Sequence, residues 1–281
     1  MISNHIGRKS HAVMAAALFL SGVAVAEDEI RARFAQRLFD TRHPDFMTIY
    51  FTGLDTEQHA SGPFSAQSNA VLERIDALIG ALRADIEHQA PGRATICVVS
   101  DHGFAAVAHD VNLMSAFQSA GLFSIDQSQK ITAWRAMPWP AGGGAAIMLA
   151  DPADQNVQAR VRALLTGLAA DPANGIDRVL THQDLLQAGG FPDAAYFVSL
   201  AGGYELGDKL QGPLITEPVN RGMHGYPPDR PDMRASFFLI GPHIPAGRSL
   251  GEIDMRQIAP TLATILHLPL PDAEQAALRF Q

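Results

Sequence analysis

The sequence predicts an α/β protein built on a mainly parallel sheet, with a small α+β segment set into the second half of the chain. Three observations carry that prediction. Two apolar runs, 46–51 and 94–99, are continuous rather than alternating, as in strands buried on both faces. An amphipathic stretch at 69–82, with Val71, Leu72, Ile75, Leu78, Ile79 and Leu82 on one side, lies between them and completes a right-handed βαβ unit. Both strands run straight into loops of acids and histidines, and the carboxyl ends of the strands are where α/β sheets gather ligands.

Composition narrows the function. With 281 residues, 47% hydrophobic, the chain can bury one large core, or a core domain with a smaller insert. A net charge of −8 and the lack of any basic tract exclude a binder of nucleic-acid backbones. An anionic substrate would be held by the local charge of a metal rather than by the overall field. The one cysteine, Cys97, sits inside an apolar run, which excludes a disulfide framework and a cysteine metal site.

In chain order, residues 1–26 read as a secretory signal. Arg8 and Lys9 precede an apolar stretch from Ala12, and Ala24-Val25-Ala26 fits a cleavage site before Glu27. This implies a periplasmic or secreted protein; if the stretch is instead an ordinary buried segment, the location is cytoplasmic. It is too short for a stable membrane span. A helix is predicted over 27–42, with Ile30, Phe34, Leu38 and Phe39 at helical spacing, and Pro44 stops it. After the 46–51 strand, Asp55 and His59 share one face of a helical turn, so both can reach one ion; an Asp cap with a solvated His is the alternative.

The 94–99 strand ends in Ser100-Asp101-His102-Gly103, where the glycine would permit a sharp turn that aims Asp101 and His102 at one point. A capping role fits that pair equally well. Residues 105–140 read as loop-rich with a short helix near 113–120. A strand at 145–149, a helix at 157–169, a turn at 172–175 and a strand at 194–200 complete a small α+β insertion, 131–206, between core segments 27–130 and 207–281. The core resumes with a third buried strand at 236–240, then Gly241-Pro242 and a closing helix at 258–266.

Of eleven histidines, His224 stands out because Gly222 and Gly225 flank it and allow close backbone approach to a ligand. With Asp55, His59, Asp101 and His102 it makes a set of two Asp and three His. Two divalent ions bridged by a phosphate would use such a set, clamping a phosphoryl group between them. His109 follows closely but is not counted with them.

Taken in order, Asp55-x-x-x-His59-x-x-Gly62-Pro63, Ser100-Asp101-His102-Gly103 and His224-Gly225-Tyr226 resemble the metal motifs of the type I phosphodiesterase/nucleotide pyrophosphatase family, in the alkaline phosphatase superfamily. The resemblance covers roughly 28–270. It implies an alkaline-phosphatase-like three-layer α/β/α fold, a small phosphoester or nucleotide substrate, and two divalent ions, most simply zinc. Asp55, His59 and His224 match the ligands of one ion; Asp101 and His102 match two ligands of the other.

The chain departs from the pattern at its start. The family carries a strand Asp and a Thr or Ser nucleophile upstream of the first motif, and neither is identified among the 54 residues before Asp55. The second ion site is then incomplete and the catalytic nucleophile unassigned. Thr52, Thr56, Ser61 and Ser100 are the nearby hydroxyls. The sheet would have a gap in its middle, giving a marginally stable chain inclined to pair with a missing N-terminal segment. Arg221, Arg230 and Arg234 lie near His224, as substrate contacts or as a solvated basic loop. The alternative functions are an inactive metal-binding fragment, or another superfamily phosphatase, sulfatase or phosphomutase.

Overall fold

The computed structural model describes residues 12–18 and 25–280, with side chains described from Glu27 onward. The elements run β1 (Ala12–Leu18), α1 (Val25–Arg42), β2 (Phe46–Phe51), α2 (Gly53–Ser61), α3 (Ala66–Gln89), β3 (Ala94–Ser100), β4 (Ala105–Val111) and α4 (Leu113–Ser119). Next come β5 (Phe123–Ile125), β6 (Ile131–Trp134), β7 (Ala136–Pro140), β8 (Gly144–Leu149), α5 (Gln155–Ala169), β9 (Ile176–Thr181), α6 (His182–Ala188) and β10 (Tyr196–Leu200). The chain closes with β11 (Gly203–Leu206), β12 (Ile215–Thr216), β13 (Gly222–Met223), β14 (Phe237–Ile240) and α7 (Ile258–Ile265).

Two compact units result. The first takes residues up to Thr56, Asn69–Asp101 and Ala235 onward; the second takes Glu57–Ser68 and His102–Arg234. The sheet of the first unit has the order β14-β3-β1-β2. β1 is parallel to both neighbours, with Ala16 opposite Ile49 on one side and Val98 on the other. The gap expected between β2 and β3 is therefore filled, because an uncharged, apolar seven-residue run suits a strand with neighbours on both sides. Cleavage after Ala26 would remove that strand. The rest of the signal-like stretch, 1–11 and 19–24, lies outside the described residues. No helix among the described residues is long and apolar enough to cross a membrane.

The core of this unit joins Ala32, Ala35 and Phe39 of α1 to Ile49 and Phe51 of β2, Val71, Ile75, Leu82 and Ile86 of α3, and Ile96 of β3. α3 runs further than the pattern over 69–82 predicts, since Ile86 continues the buried stripe and Pro91 supplies the stop. β14 is not the third buried strand that the sequence predicts. It pairs antiparallel with β3 at the sheet edge, and Phe238 is 60% exposed. A short apolar run cannot distinguish an edge strand from a central one.

In the second unit, β7-β8-β10-β9 form an antiparallel sheet, β11-β4-β12 form a mixed sheet in which β11 runs parallel to β4 and β12 antiparallel, β13 also pairs with β4, and β5-β6 form a hairpin. Val111, Leu113, Phe117, Leu122, Ile147, Val161, Leu165 and Val198 are in its core. The region 105–140 is thus not loop-rich: it holds four strands and α4. Their alanine, histidine, aspartate and proline content gives little strand signal, and pairing with distant partners supplies the order. α5 matches expectation and is capped by Asp154, whose carboxylate accepts from the Asn156 and Val157 amides.

Candidate metal centre

Two carboxylates stand at strand ends. Asp101 follows β3, and Asp55 sits in the first turn of α2, directly after β2. The start of α2 is fixed by a residue that sequence reasoning missed. Asp28 of α1 is fully buried, and its carboxylate accepts from the Thr52 N–H at 3.0 Å and the Gly53 N–H at 2.9 Å. These are amides that a helix start leaves without intrahelical partners. Arg31 pairs with Asp28 at 3.2 Å and donates to the Thr52 hydroxyl at 2.7 Å. A methyl group on Gly53 would sit 2.6 Å from Asp28 Oδ2, so only glycine fits. In the sequence, Asp28 looked like one more acid in a first helical turn.

Tyr50, near the end of β2, senses both site acids. Burial raises its phenol above the ordinary value; the charges of Asp101 and Asp55 add to the rise, and Arg31 opposes it.

Three imidazoles pack together. His102 and His224 stack at 4.0 Å between ring centroids, with 15° between planes, and His59 meets His224 edge-on at 5.2 Å. Phe104 packs against all three rings. His59 Nδ1–H donates to the Gly222 carbonyl at 2.9 Å, and His102 Nδ1–H donates to the Gly103 carbonyl at 2.9 Å. A carbonyl can only accept, so these bonds put the proton on Nδ1 and the ligating lone pair on Nε2. Burial, then the neighbouring His102 and His59, lowers the His224 pKa to about 3, keeping this ring neutral as a metal ligand must be.

Among the described residues, Asp55, His102 and His224 each offer a ligand atom, and these atoms all lie within 4.8 Å of one another. One carboxylate oxygen and two imidazole nitrogens make a donor set that fits zinc chemistry. His59 is one turn beyond Asp55 on α2, and Asp101 is bonded directly to His102; neither belongs to that group of three.

The glycines act differently from expectation. Gly103 does not adopt the left-handed conformation; its N–H donates to the Met233 carbonyl at 3.0 Å, and a methyl group there would collide with the Asp232 carbonyl. Gly222 lies against the Gln58 carbonyl and Pro63, and Gly225 against the Ala141 carbonyl. The close approaches around His224 are therefore made by protein backbone. Arg221 N–H donates to the His59 carbonyl at 2.7 Å, and Gly143 N–H to the His224 carbonyl at 2.8 Å, which ties both histidines from behind.

The hydroxyls near the motifs are engaged elsewhere. Thr52 accepts from Arg31, Thr56 donates to the Thr52 carbonyl at 3.3 Å, Ser61 donates to Glu57 at 2.5 Å, and Ser100 accepts from the Ser236 N–H at 2.8 Å. Arg230 is bound to Asp232 and lies over the Tyr226 ring at 4.2 Å. His109 is exposed and tilts against Tyr204.

The family model for type I phosphodiesterase / nucleotide pyrophosphatase matches residues 13–227. No curated protein matches the sequence. Among solved structures, murine ectonucleotide pyrophosphatase/phosphodiesterase 5, as an inactive threonine-to-alanine variant in complex with AMP, aligns with a TM-score of 0.67 at 16% identity, covering 96% of this chain and 70% of that one. The human protein of the same name aligns at 0.66 and 16%, covering 97% and 69%. At such identity the likeness is one of fold, and that fold is the alkaline-phosphatase-like α/β architecture.

Proposed function

Because the chain belongs to the type I phosphodiesterase/nucleotide pyrophosphatase family, we propose that it is a metal-dependent hydrolase of phosphodiester or pyrophosphate bonds in small nucleotide-like substrates. The observation that carries the metal dependence is the convergence of Asp55, His102 and His224. Zinc is the ion this donor set favours. In the two-ion form of the proposal, Asp55, His59 and His224 hold one ion, and Asp101 and His102 contribute to the other. Bound there, a divalent ion supplies Lewis-acid polarisation of a phosphoryl oxygen.

The chain's own groups prepare that chemistry. The Gly222 and Gly103 carbonyls hold His59 and His102 in the Nδ1–H tautomer. Asp28 seats the helix that carries Asp55 and His59. Phe104 walls the imidazoles on an apolar side, which strengthens electrostatic interactions at the site. With the neighbouring hydroxyls held in structural hydrogen bonds, the nucleophile in this proposal is water. Phosphodiesters and pyrophosphates that contain an AMP moiety are the first substrate class to examine, since the murine protein was solved in complex with AMP.

The engagement of Thr52, Thr56, Ser61 and Ser100 also favours a second reading, a metal-binding member without turnover. Hydrolysis of a chromogenic phosphodiester with added zinc, beside an Asp101→Ala control and calorimetric zinc titration, separates the two. Turnover lost in the control supports the hydrolase. Folded, zinc-binding protein without turnover establishes the second reading.

A further inference from the structure

A second acidic constellation lies in the second unit, away from the residues that converge on the metal centre. Asp110 of β4 and Glu205 of β11 stand opposite each other in the parallel ladder, 3% and 1% exposed. Asp110 Oδ1 is buried with no N–H donor. Both Glu205 oxygens are already served, Oε1 by the Asn220 backbone N–H at 3.2 Å and Oε2 by its side-chain amide at 2.9 Å. Two carboxyls side by side in such a place repel unless one of them carries a proton.

The pair sits where the chain needs holding. Thr216 of β12 lies opposite Asp110, and Gly222 of β13 lies opposite Ala106, so residues 215–223 run back along β4. Between the two ladders, 217–221 leave the sheet. There the strap is fastened through Asn220 to Glu205 and through the Val219 backbone to Asp110. The strap then delivers the Gly222 carbonyl to His59, and the chain continues directly to His224.

We propose that Asp110 and Glu205 form a carboxyl pair sharing one proton, carried by Asp110, and that this protonated pair positions the 217–224 strap behind the imidazoles of the site. The importance given to those imidazoles rests on the functional reading above; the strap and its proton do not. Both residues are positioning residues. Burial first, then the hydrogen bond and charge of Glu205, lift the Asp110 carboxyl to about 6, with Asp208 adding to the rise and the Val219 backbone opposing it. Around Asp110, β11 presents Glu205, the following loop presents Asp208, and the strap presents the Val219 backbone and Asn220. His109, its neighbour on β4, faces the other side of the strand and is exposed.

The direction follows from linkage. An acid whose folded pKa lies above its unfolded value binds its proton more tightly when folded, so its stabilisation is complete below about 4 and lost as pH rises through about 6. His224, lowered to about 3, pulls the opposite way in an overlapping window, so the comparison with a variant carries the test rather than the wild-type curve alone. Asp110→Asn keeps the shape and donates to Glu205 without a titrating proton.

The test is amide hydrogen exchange of 217–224 in the metal-free full chain at pH 5 and pH 8, corrected for intrinsic rates. Wild-type protection should fall at the higher pH, by at most about 10-fold over this window given the rise from 3.8 to about 6, while Asp110→Asn stays level. Equal pH slopes in the two proteins overturn the proposal. If the variant does not fold, infrared spectra of wild type decide. A protonated buried carboxyl band present at pH 5, reduced at pH 8 and shifted in Glu205→Gln supports the pair; its absence at pH 5 overturns it. Neither readout uses turnover or metal, so a failed hydrolysis assay and a failed clamp remain distinguishable.

Discussion

Replacing Asp28 with alanine should unseat the helix that carries Asp55 and His59. The carboxylate is fully buried and accepts two backbone N–H groups at the start of α2. Removing it strands both donors at about 1–3 kcal/mol each, by the usual cost of an unsatisfied buried group. Arg31 is still 30% exposed, so water can take over much of its lost pairing, and that term is kept small. The expected loss is about 3–5 kcal/mol, a large part of the 5–15 kcal/mol that typically holds a domain together.

The assay is urea unfolding followed by far-UV circular dichroism, because Trp134 and Trp139 both belong to the second unit and would report on that unit. A slope of about 2 kcal/mol per molar puts the midpoint lower by roughly 1.5–2.5 M. Asp28→Asn retains one acceptor oxygen and should lose about half as much. Zinc affinity should fall with helix seating, by about 10- to 100-fold as for other supporting-shell losses. An Asp28→Ala midpoint within about 0.3 M of wild type, on that same slope, would refute the reasoning: α2 would then be held by something other than its buried cap.

The remaining predictions concern packing, metal, pH and the first strand. Gly103→Ala forces the Asp232–Arg234 backbone away and should cost about 1–3 kcal/mol, read as a lower melting temperature; an unchanged value would mean that this close approach is not required. Zinc at 100 times its dissociation constant should add about 2.7 kcal/mol of stability to wild type, measured by thermal shift. Asp55→Ala and His102→Ala should lose most of that gain, while His109→Ala keeps it. In the metal-free chain, His224 has a folded pKa of about 3 against an ordinary 6.5, so its contribution is lost as pH falls from about 6.5 toward 3. His224→Gln should flatten that limb of a melting-temperature profile. Deleting residues 1–26 removes β1 from between β2 and β3 and should yield an insoluble or unfolded chain; a folded product with the parent's melting temperature would show that the sheet does not depend on that strand.

Sequence by itself determined the parts that local pattern encodes. The continuous runs at 46–51 and 94–99 became parallel strands, the amphipathic stretch became α3, and the Asp and His motifs came out at the strand ends where their chemistry was expected. Three motifs in a fixed order were enough to reach the family. The site was legible as a list of residues because metal ligands come from a short list of types.

Only the tertiary structure decided what those residues touch. It placed Ala12–Leu18 in the sheet where a signal peptide was read. It turned the glycines around His224 toward protein backbone rather than ligand, and it made an ordinary-looking first-turn acid, Asp28, the seat of α2. It also brought Asp110 and Glu205 together from distant parts of the chain. Periodicity records how a segment exposes its own side chains to water. It carries no record of which remote carbonyl will meet an imidazole, or which two carboxyls must share a proton. Those pairings are fixed by long-range packing, where unpaired buried groups are too costly to leave in place.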